Sequence, residues 1–407
     1  MLVRRILYVH HGKGIGGAPL SLLYLIRGLD RTRYEPTVLC LHESEAADLF
    51  RNAGIETVVE SSLHDFSHTN VLWYPWWQAP KLFLRAVQSL PTYLRARRFL
   101  RNGDYDAVHL NTSTLTAVGM AAHDEGLRVV WHVREPLQRG YSGLRRAIIR
   151  RIIDRYADLI LPICHYDAAQ LHPSPKIHVV YNFIDFSQFD ADLDGETVRR
   201  ELNIDNEQQV ITMLGGVNPI KGTREFVDAA LRVHPDHPDA VFLIAGPLPD
   251  DSCRNRINGM RVYRESVFSR LPQMQSDFIR FIGVRNDIPQ ILAASDILCF
   301  PSTVPHFARP VIEASAMGVA VIASDLGGPR ELLRHGETGL LVPPSEPAAL
   351  AEAIRHLIGD PASKREMGRR GIAFARKHFD AEKNIATVIG LYDQLFGDDS
   401  RLQQRDN

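Results

Sequence analysis

Short runs rich in β-branched residues alternate along this chain with longer stretches of helical period. "RILYVH", "YEPTVLCL", "DAVHLN", "RVVWHV" and "LILPI" are continuous apolar runs of strand length, the pattern of strands buried on both faces. A second series starts at "QVITMLGG" and continues through "AVFLIAG", "IRFIG", "ILCFPS" and "VAVIAS". Strands alternating with helices predict parallel sheets covered on both sides. Two such series predict an α/β fold of two doubly wound domains facing a cleft, with ligands at the carboxyl ends of the strands. Between them "NFIDFSQFDADLDGETVRREL" is acidic and weakly periodic, and reads as the linker. The expected divisions are residues 1–185, 186–380, an amphipathic helix at 381–397 that is a candidate to cross back to the N-terminal domain, and a polar tail at 398–407.

The totals agree with this picture. A chain of 407 residues exceeds one ordinary core and suits two domains of about 200 residues each. Hydrophobic residues are 45% and charged residues 23%, an ordinary globular balance. A formal net charge of −1 gives no field that points to nucleic acid. Cys40, Cys164, Cys253 and Cys299 are far apart and read as reduced thiols of a cytoplasmic protein. "MLVRRILYVHHGKG" runs straight into a strand and a glycine loop, unlike a signal peptide. No run reaches the roughly 18–20 apolar residues of a membrane-spanning helix.

The first candidate chemistry is "HGKGIGGAP". Gly12, Gly14 and Gly17 fit G-x-G-x-x-G between a strand and a helix, a pattern also met in plain tight turns. Glu43, 26 residues past Gly17, keeps open an NAD(P)-dependent oxidoreductase with its ribose on that carboxylate. The second half carries a fuller nucleotide-binding set. In "MLGGVNPIKGTREF" a strand runs into Gly215 and Gly216; Lys221 and Gly222 come next, then a helix that Thr223 is placed to cap. A lysine just ahead of a helix N-terminus adds a point charge to free backbone donors, which suits a diphosphate. Lys-Gly-Thr is not the Walker order, and an exposed loop lysine is the plain alternative. In "CFPSTVPHFARPVIEASAMG" Pro310 suits a first helical turn and Gly318 the position past the helix end. Glu313 is then expected in the first turn, where it could accept hydrogen bonds from a ribose diol or serve only helix-start electrostatics. Arg309 is placed to reach a phosphate, or is an ordinary surface arginine.

Together these segments resemble the retaining glycosyltransferases of family four, built as two Rossmann-like domains in the GT-B arrangement. "GGVNPIKG" resembles the family's G-R-x4-K-G phosphate loop. "FIGVRNDIPQILAASDILCFPS", with Val284, resembles the base-bordering strand and helix. "FARPVIEASAMGVAVIASDLGGPRELLRHGETGLLVPP" resembles the ribose-binding helix and the strands after it. The resemblance implies a donor site of Gly16, Gly17, Gly215, Gly216, Lys221, Val284, His306, Pro310, Val311 and Glu313. It implies catalytic roles for His132 (in "VVWHVREPL"), Lys221 and Arg309, with Arg134 on the acceptor side; Arg134 and Glu135 are a possible pair. Two positions depart from the pattern. Gly216 stands where the family has arginine, and Pro305 where its E-x7-E motif has the first glutamate, with His306 beside it.

The implied reaction moves a hexose from a UDP- or GDP-linked sugar to a glycan or lipid-linked acceptor with retention, in polysaccharide or glycolipid assembly. Cations and helix N-terminal amides would hold the departing diphosphate. No cofactor and no metal are expected: "DADLD" (Asp190, Asp192, Asp194) falls in the linker and reads as a solvated acidic run. Residues 71–102 hold Trp73, Trp76, Trp77 and six basic residues without an acid, which points to a membrane surface or to acceptor binding. The 144–160 segment puts Leu144, Ile148, Ile149, Ile152 and Ile153 on one helical face and arginines on the rest, as a core-packed or an interfacial helix. The expected location is cytoplasmic, with peripheral contact at the inner membrane face. Three alternatives stand beside this reading: a GT-B protein that binds nucleotide sugar without turnover, the NAD(P) oxidoreductase, and a membrane-docking scaffold.

Overall fold

The computed structural model describes residues 3–66, 79–252, 259–271 and 277–397. The chain divides into two compact units. One runs to Asn182 and resumes at Ala381; the other is Phe183–Asp380. Each contains a six-stranded, wholly parallel sheet with crossover helices between strands.

In the first unit the strands are β1 (Arg4–His10), β2 (Tyr34–Cys40), β3 (Glu56–Val59), β4 (Ala107–Leu110), β5 (Arg128–Val133) and β6 (Leu159–Pro162), in the order β3-β2-β1-β4-β5-β6. In the second they are β7 (Val210–Leu214), β8 (Val241–Ala245), β9 (Ile279–Gly283), β10 (Ile297–Phe300), β11 (Ala320–Ser324) and β12 (Leu340–Val342), in the order β12-β11-β10-β7-β8-β9. The order reverses between β1 and β4, and again between β7 and β10. Crossover helices diverge at such a point and leave the carboxyl ends of the two strands open to a ligand. The residues just past β1, β4, β7 and β10 are therefore the ones to inspect.

Each sheet is buried on both faces. Leu7, Val9, Val108, Val129 and Trp131 pack with Leu100, Val118, Ile149 and Ile153 from the helices of the first unit. Ile211, Met213, Phe242 and Ile244 pack with Phe226, Val233, Ile354 and Leu357 in the second. Cys40, Cys164 and Cys299 are buried free thiols; Cys253 lies outside the described residues.

The expected linker is a packed part of the second unit. Phe183, Ile184 and Phe189 are buried, and the Ile184 N–H donates to Phe379 O at 2.8 Å. Its short helix, Glu196–Glu201, is held by Arg199, which donates to Ala294 O at 3.1 Å and to Asp296 at 3.0 Å. Apolar residues there are too unevenly spaced to show a period, although the ones present are buried.

The last helix, Ala381–Gly397, belongs to the first unit. It buries Val388 and Tyr392 completely. Tyr34 and Arg33 both donate to Asp393, and Arg4 stacks over Phe396 at 5.1 Å. Each fully buried apolar side chain of this size contributes about 1.5–3 kcal/mol.

Candidate functional site

In the second unit the chain leaves β7 through Gly215 and Gly216. Gly216 has φ +65°, and a Cβ there would stand 2.2 Å from Pro247 O. Gly222 has φ +75°, and a Cβ there would stand 1.8 Å from Pro301 O. Only glycine fits either position, so the arginine of the resembled loop has no room at 216. Thr303 sews this loop to the segment after β10, its N–H donating to Ile220 O at 3.1 Å and its hydroxyl to Pro219 O at 2.8 Å.

One expectation for this loop needs correction. Thr223 is the first residue of the Thr223–Val233 helix and does not cap it; its hydroxyl donates to Gly216 O at 2.8 Å and accepts from the Asn218 N–H at 2.9 Å. The backbone donors of the loop ahead of the helix are already in use. The N–H groups of Gly215 and Gly216 go to Ala245 O, that of Val217 to Pro247 O, that of Ile220 to Asn218 Oδ1, that of Lys221 to Asn218 O and that of Gly222 to Pro219 O. Ahead of the helix, what the loop offers an anion is the charge of Lys221.

That charge is held distinctively. Lys221 Nζ donates to His306 Nε2 at 2.8 Å and lies 5.2 Å from the centre of the Phe300 ring. His306 Nδ1 lies 2.9 Å from Val304 O. A carbonyl cannot donate, so Nδ1 carries the imidazole proton and Nε2 offers the lone pair that receives the ammonium. Burial pushes the Lys221 ammonium down from 10.5 to about 8. Burial, with Lys221 adding to it, pushes His306 down to about 3. Among the described residues no carboxylate pairs with Lys221.

The Arg309–Ala316 helix has Pro310 in its first turn, and Gly318, at φ +73°, stands just past its end. Glu313 lies in the second turn, contrary to expectation, because the helix already begins at Arg309. The field of a helix N-terminus fades within one turn. Arg309 Nε holds the Glu313 carboxylate instead, at 2.7 Å, with side chains only 13% and 11% exposed. Arg309, expected to face a phosphate, is thus engaged by a carboxylate of its own helix. Val311 is fully buried and gives its N–H to Ala308 O at 3.0 Å, so it secures the helix start and presents no free group. Val284 is 71% exposed just past β9. His306, three residues ahead of Arg309, ties Lys221 to the loop that opens this helix. Pro305, where the resembled motif has glutamate, adjoins that histidine.

In the first unit polar side chains gather where β1, β4 and β5 end. Gly16 precedes the Gly17–Arg27 helix in extended conformation, with no side-chain cap and no atom within 4 Å of a would-be Cβ. His10, His109, Asn111, His132 and Arg134 are all buried. The expected pair of Arg134 and Glu135 does not form. Arg134 donates to Asn111 Oδ1, and to Asn182 Oδ1 at 2.8 Å. Glu135 accepts from Thr112 at 2.6 Å and from the Ser113 N–H at 2.9 Å. Guanidinium only donates, so it fixes the Asn111 amide with its oxygen toward Arg134. The Asn111 nitrogen then faces His10 Nδ1, 3.1 Å away, and leaves the proton of His10 on Nε2. His132 Nδ1 lies 3.1 Å from His109 Nε2, whose ring is held by Tyr392 at 2.6 Å. Burial, then Arg134, keeps His109 and His132 well below the ordinary histidine range. His10, His109, Asn111 and Tyr392 were not singled out from the sequence. The available signal was a polar residue inside or just after a fully apolar strand run, in "RILYVH" and "DAVHLN".

The remaining expected residues are elsewhere. Glu43, the ribose candidate of the NAD(P) reading, is paired with Arg51 at 3.0 Å. Asp190, Asp192 and Asp194 are exposed. Asp190 and Asp194 accept backbone N–H groups two residues on. Among the described residues no group of three metal-ligating side chains assembles. Trp73, Trp76 and Trp77 lie outside the described residues. The 144–160 face is mostly core: Ile149 and Ile153 are buried, Leu144 is exposed, and Arg145 is buried against the expectation, donating to Gln138 O at 3.2 Å. The Ala79–Asn102 helix exposes Phe83 (73%), Val87, Leu90 (63%) and Leu94 at successive three- and four-residue steps. Beside it a cavity of about 450 Å³ is lined by Phe66, Leu90, Tyr93, Met120, Ile148 and Ile152 among others. Among the described residues no helix is long and apolar enough to cross a membrane.

The chain is similar to known proteins. The profile of Glycosyltransferase Family 4 matches residues 15–188, and that of Glycosyl transferases group 1 matches residues 194–374. A lipopolysaccharide core biosynthesis mannosyltransferase of Rhizobium meliloti is 27% identical over 262 residues, 63% of this chain and 70% of the relative. A phosphatidyl-myo-inositol mannosyltransferase of Mycobacterium tuberculosis is 24% identical over 328 residues, 77% of this chain and 80% of the relative. The crystal structure of Anabaena HepE, bound to UDP and glucose, superposes with TM-score 0.76 at 22% identity, covering 95% of this chain and 99% of that one.

Proposed function

Since the chain belongs to the family-four, group 1 glycosyltransferases and has their GT-B fold, we propose that it moves a hexose from a UDP- or GDP-linked sugar to a glycan or lipid-linked acceptor. The transfer proceeds with retention and without a metal, in polysaccharide or glycolipid assembly. The observation that carries this is Lys221: a partly buried ammonium with no carboxylate partner among the described residues, at the strand-order reversal of the second sheet. Such a charge wants an anion.

As the anomeric C–O bond breaks, negative charge grows on the diphosphate and positive charge on the sugar. Lys221 stabilises the former; a preorganised donor of this kind accounts for about 2.7–4 kcal/mol of barrier. The acceptor hydroxyl attacks from the side the diphosphate leaves and gives its proton to the departing phosphate oxygen, so no carboxylate base is needed. Glu313, oriented by Arg309, accepts from the ribose. The mannosyltransferase relatives and UDP-bound HepE support the donor class.

The apolar stripe of the Ala79–Asn102 helix supports an acceptor with a lipid part, presented at a membrane surface that this helix touches. The adjoining cavity falls within the usual size of ligand sites.

A thermal-shift panel of UDP, GDP, ADP and their sugars tests the donor class, because a ligand at 100 times its Kd adds about 2.7 kcal/mol of stability. No stabilisation by any of them refutes the reading. Gly216 and Pro305 favour one second reading, a protein that binds the donor without turnover. Release of nucleoside diphosphate in the presence of a mixed acceptor pool excludes it.

A further inference from the structure

An imidazole donates through one nitrogen and accepts through the other, and its neighbours decide which does which. We propose that Tyr392 and His109 are positioning residues that hold His132 with its proton on Nε2, so that the last helix of the chain sets the hydrogen-bond polarity at the end of β5. The use of that N–H, to meet an oxygen of a sugar substrate, rests on the proposed transferase activity; the tautomer rests on the contacts alone.

Tyr392 Oη, His109 Nδ1, His109 Nε2 and His132 Nδ1 form one line, with separations of 2.6 Å and 3.1 Å at its two hydrogen bonds. All three side chains are buried, His132 to within 2%. A neutral imidazole has one N–H, so the two bonds cannot be oriented independently. In the outward order the phenol donates to His109 Nδ1, His109 Nε2–H donates to His132 Nδ1, and His132 presents Nε2–H. In the inward order the phenol accepts, and its own hydrogen must find another acceptor in the core. The Tyr8 hydroxyl, which hydrogen-bonds to Tyr392, would inherit the same unmet proton, because among the described residues no acceptor beyond Tyr392 reaches it. Inward, a core hydroxyl hydrogen and the His132 Nε2 lone pair both go unmet. Outward, Tyr8, which hydrogen-bonds to Tyr392, gives its proton to the Tyr392 oxygen, and among the described residues the group of the line left without a protein partner is the His132 Nε2–H. A buried donor left open by the protein is a donor for a ligand. The low basicity of both rings, caused by burial, keeps the line neutral.

The experiment uses the full chain with ¹⁵N-labelled histidine, the His132 signals being assigned by their loss in His132→Gln. The wild type is expected to show a proton on Nε2 and a bare Nδ1. His109→Gln is expected to keep that pattern, since its amide oxygen can take the Tyr392 hydroxyl and its nitrogen can donate to His132. Tyr392→Phe and His109→Leu are expected to give mixed or reversed tautomers. UDP-glucose and GDP-mannose serve as probes. The one that the wild type binds should bind about 3- to 10-fold more weakly to Tyr392→Phe, while the parent UDP or GDP binds with unchanged affinity. Melting curves establish that each variant is folded. A wild type with the proton on Nδ1, or an unchanged His132 spectrum in both Tyr392→Phe and His109→Leu, overturns the proposal. The expected tautomers in a protein that binds neither probe would uphold the positioning role and sink the nucleotide-sugar reading instead.

Discussion

Replacing Lys221 by methionine keeps an unbranched stem of similar volume and removes the charge. The free protein holds this ammonium at about 8 against an ordinary 10.5, which corresponds to about 3 kcal/mol of unfavourable charge burial. A lysine whose folded-state value is depressed costs stability in full below that value, and the cost fades as pH rises from about 8 toward 10.5. Lys221→Met should therefore melt higher than wild type at pH 7. The gain is about 2 kcal/mol after about 1 kcal/mol is lost with the bond to His306, and it should shrink by pH 10. Ligand binding should show the opposite face of the same balance. A diphosphate favours the charged form, so the free protein must take up a proton to bind it above pH 8. If the bound value returns to 10.5 or higher, the Kd should weaken about 25- to 30-fold between pH 7 and pH 9.5. Calorimetric titration with UDP and GDP across that range, in buffers of different ionisation enthalpy, reads both the affinity and the proton uptake. The methionine variant should bind more weakly and show a flat profile. Equal pH profiles in the two proteins, or undiminished affinity in Lys221→Met, would refute an anion site at this ammonium.

Glu313→Gln leaves Arg309 buried without its carboxylate; it should lower stability by about 1–3 kcal/mol and weaken UDP or GDP binding at least tenfold, and a Kd equal to wild type would remove Glu313 from the site. Gly216→Arg, which restores the family's residue, should lower the melting temperature and fail to raise turnover, since its side chain meets Pro247 O; a more active enzyme would show that the loop reshapes freely. Phe83→Glu with Leu90→Glu should abolish co-flotation with anionic liposomes while changing stability by no more than about 1 kcal/mol in sum. Retained flotation would place the membrane contact elsewhere.

Much of the fold was legible because both sheets are parallel and covered on both faces, so most strands are uninterrupted apolar runs. β3 and β12 escaped because neither makes a sustained apolar run: "ETVV" is mostly half-buried and "LLV" spans three residues. The glycine loop and Lys221 could be found from spacing alone. The consumption of the loop's own N–H groups could not, since it depends on Ala245 and Pro247 arriving from β8 and its adjoining turn. The placement of Glu313 failed by one turn because Pro310 signals a helix start to within a residue or so, and Arg309 is already helical. The histidine line was invisible because its members are far apart in sequence: Tyr392 stands 283 positions beyond His109, and nothing local marks it.

The return of Ala381–Gly397 to the first unit orders events during synthesis. A ribosome that has delivered residues 1–182 has supplied all six strands of that sheet but not the side chains that cover Tyr34 and complete the buried surroundings of Tyr8 and His109. The second unit is continuous and can close while still tethered; the first must wait for the carboxyl-terminal helix to leave the exit tunnel. A chain truncated by its last helix would then carry an intact second half and an open amino-terminal core, a natural substrate for chaperones and proteases.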